Sequence, residues 1–248
     1  MALALALVAS STSWIVPAPA PRCASVRCCD TIPDSVSDQI PPEKLSDAWR
    51  RDEKAKELGE TLKGCSLYLV GFGARKTAVA RLLSRRLPRY RLYDVGTIMC
   101  STYAAMGGDG GAVSLKDLMA KEPLADVEQL SQAVLREVQQ FARSVFVAWD
   151  GAITTADYMV MQQGIVVHLD FDAFEEDEVA LPAEDAEATR EAWAAGHAKA
   201  DVTVKLEKGL AADDAAYQVV DALLSFIEAN PAKSKEWKEK ADEALEGQ

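Results

Sequence analysis

Gly71, Gly73, Lys76 and Thr77 have the types and spacing that could grip a phosphate. They lie in Leu67-Tyr-Leu-Val-Gly-Phe-Gly-Ala-Arg-Lys-Thr-Ala-Val-Ala-Arg-Leu-Leu83, an apolar run followed by a glycine turn, Lys-Thr and a helical pattern. A loop of this kind wraps successive backbone N–H groups around a phosphate at a helix N-terminus, while the lysine and the hydroxyl serve the phosphate and its metal. The complete pattern is Gly, four residues, Gly-Lys-Ser/Thr. Counted back from Lys76, its glycines belong at positions 70 and 75, where this chain has Val70 and Arg75. The loop is one residue short, with a cation where its last glycine should be.

Elements that must position these residues are legible around them. Strands are expected at 65–70, 90–94, 144–149, 164–169 and 201–206, several of them continuous apolar runs of the kind buried on both faces of a parallel sheet. Helical patterns fill 76–87, 114–121, 126–142, 154–162, 184–196 and 211–229, with Ser114 to Asp117 as a capping signal and Pro88 and Pro231 at helix ends. A charged helix over 42–62 precedes them, read as solvent-facing. Strands alternating with helices imply right-handed crossovers and an α/β fold, a three-layer α/β/α sandwich on a five-stranded parallel sheet. Ligands of such sheets sit beyond the carboxyl ends of the strands. Those ends are Gly71–Lys76, Asp94–Gly96, Trp149–Ala152 and Asp170–Asp172.

Composition narrows the function. The chain has 248 residues, 49% of them hydrophobic, and a net charge of −12. That charge argues against a nucleic-acid partner, which needs clustered Lys and Arg. No apolar run is long enough to span a membrane. The first 29 residues contain no Asp or Glu, are rich in Ala, Ser and Val, and carry only Arg22 and Arg27 as charges. They read as a removable transit peptide, or a signal and transit peptide in series. The expected organisation is a leader at 1–29, a linker and charged helix at 30–62, the domain at 63–230 and an acidic tail at 231–248. Cys65 and Cys100 lack metal-ligand spacing and read as buried free thiols.

The order of motifs resembles the shikimate kinase family over about residues 62–229. Leu62-Lys-Gly-Cys-Ser-Leu-Tyr-Leu-Val-Gly71 is similar to that family's first strand. Tyr93-Asp94-Val-Gly96 falls at its Asp-x-Asp position, and Ala148-Trp-Asp-Gly-Ala152 at its glycine triplet. Glu191 to Glu207 looks like the segment entering its last strand. The resemblance implies the fold of P-loop NTPases and nucleoside monophosphate kinases. It implies Lys76 for phosphate, with Thr77 and Asp94 for Mg²⁺ if a nucleotide binds.

Departures fall on the positions that carry the chemistry. Arg75 replaces a loop glycine and Gly96 replaces the substrate-diol carboxylate. No Arg lies between Arg91 and Arg136, where the substrate clamp belongs. Trp149-Asp150-Gly151 replaces the open triplet. Residues 170–191, at the lid, hold ten Asp or Glu and one basic residue, Arg190; they read as a solvated face, or as a docking site for a basic partner. Gly71, Gly73, Lys76 and Thr77 then form a vestigial nucleotide site, and Asp94, Asp150 and Gly151 are substrate-site remnants. The combination resembles the plastid shikimate kinase-like proteins, considered inactive descendants of the enzyme. It implies no cofactor, an unidentified plastid protein partner, and a soluble stromal role in chloroplast biogenesis. An alternative reading is a divergent kinase using Mg·ATP on another acceptor, with Arg75 as a replacement phosphate ligand. A third is a nucleotide-sensing module. His168 reads as a hydrogen-bonded core or strand-end residue, His197 as solvent-facing, and Gly107–Gly111 as a mobile loop.

Overall fold

The structure, a computed structural model, describes residues 42–106, 114–171 and 186–231. The leader, the linker, the Gly107–Gly111 loop, most of the acidic 170–191 run and the tail beyond position 231 therefore lie outside the described residues.

The elements run α1 (Pro42–Leu62), β1 (Leu67–Gly71), α2 (Arg75–Arg86), β2 (Arg91–Asp94), α3 (Val95–Ala105), α4 (Leu115–Lys121), α5 (Leu124–Val138), β3 (Ser144–Val147), α6 (Thr155–Met161), β4 (Ile165–Phe171), α7 (Ala186–His197), β5 (Val202–Leu206) and α8 (Ala212–Ala229). From Leu45 onward they belong to one compact unit. The five strands form one parallel sheet in the order β2-β3-β1-β4-β5. This is the expected α/β architecture, with β1 in the middle and the loop after it at the centre of the sheet edge.

Strand alternation divides the core between two faces. Leu67, Leu69, Val145, Val147, Ile165 and Val167 point to one layer, where α1, α2 and α8 cover them. Tyr68, Val70, Phe146, Ala148 and Val166 point to the other, covered by α3 to α7. Both faces are dry, which explains the uninterrupted apolar runs. Ser114 and Thr154 each close a capping box, with Asp117 and Asp157 respectively, so α4 and α6 begin where their sequences specify.

Two expectations need correction. Residues 95–105 are a helix, which the sequence reading had left without an assignment. In addition, α1 is not merely solvent-facing. Ala55, Leu58 and Leu62 are buried in the layer with α2 and α8. Arg51 ion-pairs with Asp214, and Arg51 and Arg86 place their guanidinium carbons 4.5 and 4.0 Å from the Tyr217 ring. Arg86 also pairs with Asp213 at 2.6 Å. The helix is charged on one side and apolar on the other, and the apolar side is structural.

Leu58 is fully buried, whereas Trp49 on the same helix is 65% exposed. Leu58→Ala should therefore lower the urea-unfolding free energy by about 2–5 kcal/mol, and Trp49→Ala should change it by less than about 0.5 kcal/mol. Equal losses for the two variants would show that α1 does not pack as described.

Candidate functional site

The turn after β1 is short: Gly71 ends the strand and Arg75 opens α2. Gly71 has φ +126°, and a Cβ there would meet the Leu169 carbonyl oxygen at 2.5 Å. Gly73 also has positive φ, at 85°. Both glycines are needed for the chain to turn back over the sheet edge. Ala74 occupies the N-cap of α2 and supplies no side-chain acceptor. The first-turn N–H groups, which form the positive end of the helix, thus have no side-chain cap from Ala74, an arrangement that favours an anion.

Asp150 provides that anion. Lys76 Nζ donates to Asp150 Oδ1 at 2.8 Å and to the Gly71 carbonyl at 2.7 Å, and Gly73 N–H donates to Asp150 Oδ2 at 3.4 Å. The side chains are 3% and 16% exposed, respectively. A lysine buried this deeply needs a counter-charge, and a carboxylate with a backbone donor meets the need. The loop's ammonium and the Gly73 amide are thus engaged with the chain's own carboxylate.

Residues after β3 hold Asp150 in place. Trp149 is buried and its indole N–H donates to Ser131 Oγ at 2.8 Å. Its ring meets Trp193 of α7 edge-on at 5.5 Å. Gly151 lies in the angle between them, and a Cβ there would come within 2.4 Å of Trp149 and 2.7 Å of Trp193. Bulk has entered the loop, as expected, and it is packed rather than left in the open.

Arg75 is engaged away from the loop's interior. Its Nη2 donates to the Leu210 carbonyl at 2.6 Å, and its guanidinium lies 4.9 Å from the Phe171 ring. Both contacts draw it to the far side of the loop.

His197 also departs from expectation: it is fully buried, packed edge-on against Phe72 at 4.9 Å and beside His168 at 5.4 Å. Burial, reinforced by the Lys76 and His168 charges, pushes its pKa down to about 3; only the backbone of Asp150 acts the other way. His168, half-buried, is lowered chiefly by burial. Its Nδ1 finds no hydrogen-bond partner among the described residues, contrary to the reading of it as hydrogen-bonded. Burial thus keeps the His197 imidazole neutral in the fold at ordinary pH.

A cavity of about 630 Å³ opens beside the loop. The expected Gly73, Lys76, Thr77, Asp94 and Asp150 line it, and so does Gly96; Gly71 and Gly151 are not among its lining residues. Asp94 caps α3 by accepting from Thr97 N–H at 3.0 Å. Sequence reasoning missed the wall contributed by Thr97, Cys100 and Ser101 because it missed α3; Ser114, which it placed as a helix cap, joins the same lining. The one available signal was Asp94, an N-cap residue three positions before Thr97. Cys65 and Cys100 are buried free thiols. Among the described residues no group of three or more His, Cys, Asp or Glu could hold a metal, and no helix is long and apolar enough to cross a membrane.

Mg·ATP does not fit these residues as they stand. Asp150 holds the loop's ammonium and one of its amides, Arg75 is held by the Leu210 carbonyl and the Phe171 ring, and Gly96 brings no side chain to the cavity.

Comparison with known proteins agrees with the architecture. No family model matches the chain. A shikimate kinase from Synechococcus sp. (strain RCC307) is 31% identical over 121 residues, 48% of this chain and 57% of that protein. The chain thus spans little more than half the length of that relative. The crystal structure of shikimate kinase from Aquifex aeolicus superposes with a TM-score of 0.50 at 21% identity, covering 67% of this chain and 98% of that one. Shikimate kinase from Acinetobacter baumannii, in complex with shikimate, gives a TM-score of 0.53 at 22% identity over 65% of this chain and 93% of the other. About half of the chain is thus similar in sequence to a shikimate kinase, and the solved shikimate kinases share its fold.

Two outcomes are expected. Removing the internal carboxylate in Asp150→Ala strands a buried ammonium and should cost about 3 kcal/mol. Inorganic phosphate should then raise the melting temperature of the variant and leave the wild type unmoved; equal shifts in both would mean that Asp150 does not occupy the loop. The second concerns acid. The unfolded chain protonates His197 near 6.5 and the folded chain only near 3, so stability is greatest above 6.5 and falls as pH drops through that window. Between pH 7 and pH 5 His197 alone should account for about 2 kcal/mol of lost stability. Denaturant melts of His197→Phe should show a correspondingly flatter pH dependence.

Proposed function

We propose that this chain is a shikimate kinase-like protein of the plastid that no longer transfers phosphate. It acts by binding a partner protein in chloroplast biogenesis or its regulation. The observation that carries the loss of catalysis is the Asp150 carboxylate seated between Lys76 and Gly73. A nucleotide must evict this tethered anion and re-pair the lysine before its own phosphates can enter. A cost of about 3 kcal/mol for opening such a pair corresponds to affinity weakened on the order of a hundredfold.

Other features support the same reading. Nothing in the loop replaces Arg75's missing glycine. Gly96 offers no carboxylate to a substrate diol, and the clamp arginine is absent from the sequence between Arg91 and Arg136. The acid-free, Ser- and Ala-rich first 29 residues support import into a plastid. A soluble stromal location and a protein partner belong to this proposal.

One observation favours a second reading. Lys76, Thr77 and Asp94 still share one cavity wall, as a nucleotide sensor or a kinase with a changed acceptor would require.

The deciding experiment titrates the full chain with Mg·ATP and Mg·ADP, following both melting temperature and shikimate-dependent ADP release, with Lys76→Ala alongside. The expected result is no shift up to several millimolar nucleotide and no ADP. A saturable shift that disappears in Lys76→Ala, without product, would favour the sensor. Product formation lost in the same variant would overturn the non-catalytic reading.

A further inference from the structure

We propose that the amino ends of β2, β3 and β1, at the side of the sheet opposite the glycine loop, form a docking site for a short acidic segment of a partner protein. Lys63, Arg89, Arg91 and Arg143 hold it. The proposal rests on the partner-binding reading above and names the chemistry that the partner presents.

Charge is distributed unevenly in this chain. Between Glu60 and Asp94 there are eight Lys or Arg and no Asp or Glu, in a protein of net charge −12. Four cations meet at one rim. Arg91 opens β2, and its N–H donates to the Arg143 carbonyl at 3.0 Å. Arg143, just before β3, donates from its own N–H to the Gly64 carbonyl at 2.9 Å, beside Lys63. Gly59 of α1 packs on Pro88, where a Cβ would come within 2.6 Å of the proline ring, and this brings Arg89 to the same end. Lys63, Arg89 and Arg91 are exposed and Arg143 is half-buried. Among the described residues the ion pairs use Arg51, Lys54, Lys76 and Arg86, and none uses these four. The nearest acids in the flanking helices, Glu57, Glu60 and Glu137, are not paired with them. The ends of α1, α2, α5 and α8 lie on this side and bring about half a negative charge each, about two in all. Four cations, with Arg85 in the last turn of α2 beyond them, leave the rim positive.

Backbone geometry sets three of the four apart. Lys63, Arg89 and Arg143 have φ of 47°, 65° and 54°, and among the described residues they are the non-glycine residues with positive φ. This left-handed conformation favours glycine and disfavours any residue with a Cβ. Three strained positions leading into three neighbouring strands each carry a long cation instead, and no ion pair among the described residues employs it. The strands lie about 4.8 Å apart, so the rim is about 10 Å across and matches a few consecutive carboxylates. Guanidinium groups grip carboxylates through paired N–H donors. Size selects the occupant. Screening confines the rim's attraction to about 8 Å at physiological salt, so a short acidic peptide meets the cations alone. A nucleic acid or an anionic membrane extends past them over a chain whose net charge is −12, and is repelled.

Fluorescence anisotropy of the full chain with a labelled octaglutamate peptide tests this. Octaglutamine, a long oligothymidylate and phosphatidylglycerol vesicles serve as the other probes. Octaglutamate should bind tighter than each of them, and added salt should weaken it. Arg89→Gly with Arg143→Gly removes two cations while giving each strained position the residue it favours. That variant should melt no earlier than the wild type and bind octaglutamate about tenfold more weakly. Lys205→Glu, exposed on β5 at the other edge of the sheet, should leave binding within about twofold. If the glycine variant melts early, Lys63→Gln with Arg91→Gln decides instead, with the same loss of binding expected. Absence of octaglutamate binding would overturn the proposal. So would undiminished binding by the charge-removed variant, or tighter binding of the oligothymidylate or the vesicles. Shikimate-dependent ADP release, assayed on the same preparation, separates the two claims. Product together with peptide binding overturns only the non-catalytic reading, whereas neither product nor peptide binding removes only the present proposal.

Discussion

A lysine ammonium buried in the turn of a parallel sheet must be given a negative charge, and this chain provides one from itself. Lys76 and Asp150 are 74 positions apart in sequence and 2.8 Å apart in space, joined because β1 and β3 are neighbours in the sheet. Much of the site's local structure follows from that contact. Holding Asp150 inward sets the course of the chain after β3, which directs Trp149 into the core against Ser131. Trp149 in turn meets Trp193, and α7 is brought down so that His197 is sealed behind Phe72. Without the carboxylate, the lysine would carry an unpaired charge in a low-dielectric setting, and the residues built on Asp150 would lose their reference point.

The contact also changes what competition for the loop means. A diffusible phosphate occupies such a turn according to its concentration. A carboxylate on the same chain has a fixed effective concentration, high and independent of the cell's nucleotide pool. The fold therefore does not depend on a diffusible ligand at this turn, because the position most demanding of a negative charge is satisfied from within. What the site does has to be argued from these residues, since the fold itself gives no instruction.

How much of this was readable from the residues differed by kind of element. The strands were, because a sheet covered on both faces writes itself as Leu, Val and Ile without interruption. Helices with capping boxes were, because Ser114 and Thr154 state their starting points. The helix over 95–105 was not: Val95-Gly-Thr-Ile-Met-Cys-Ser-Thr-Tyr-Ala-Ala mixes glycine and β-branched residues with no clear apolar stripe, and packing on α5 overrides its weak propensity. His197 was misread because Gly-His-Ala near a helix end has the composition of a surface turn, and only the fold brings Phe72 and His168 against it. Asp150 was visible as a charge out of place. That it would seat itself in the loop depends on strand order, which local sequence does not specify.

The ring of Tyr217 is in contact with two guanidinium groups, one from α1 and one from the far end of α2, the helix that carries Lys76 in its first turn. The N-terminal helix is thereby fastened to the same helix that carries the loop's lysine. This sets a limit on how far the chain can be shortened. A version that begins just before Arg51 keeps both cation–ring contacts and the apolar contacts of Ala55, Leu58 and Leu62. One that begins beyond Leu58 would expose a face of the core and leave the Tyr217 ring with Arg86 alone. Arg51 is thus the boundary between residues the core can spare and residues it is built on.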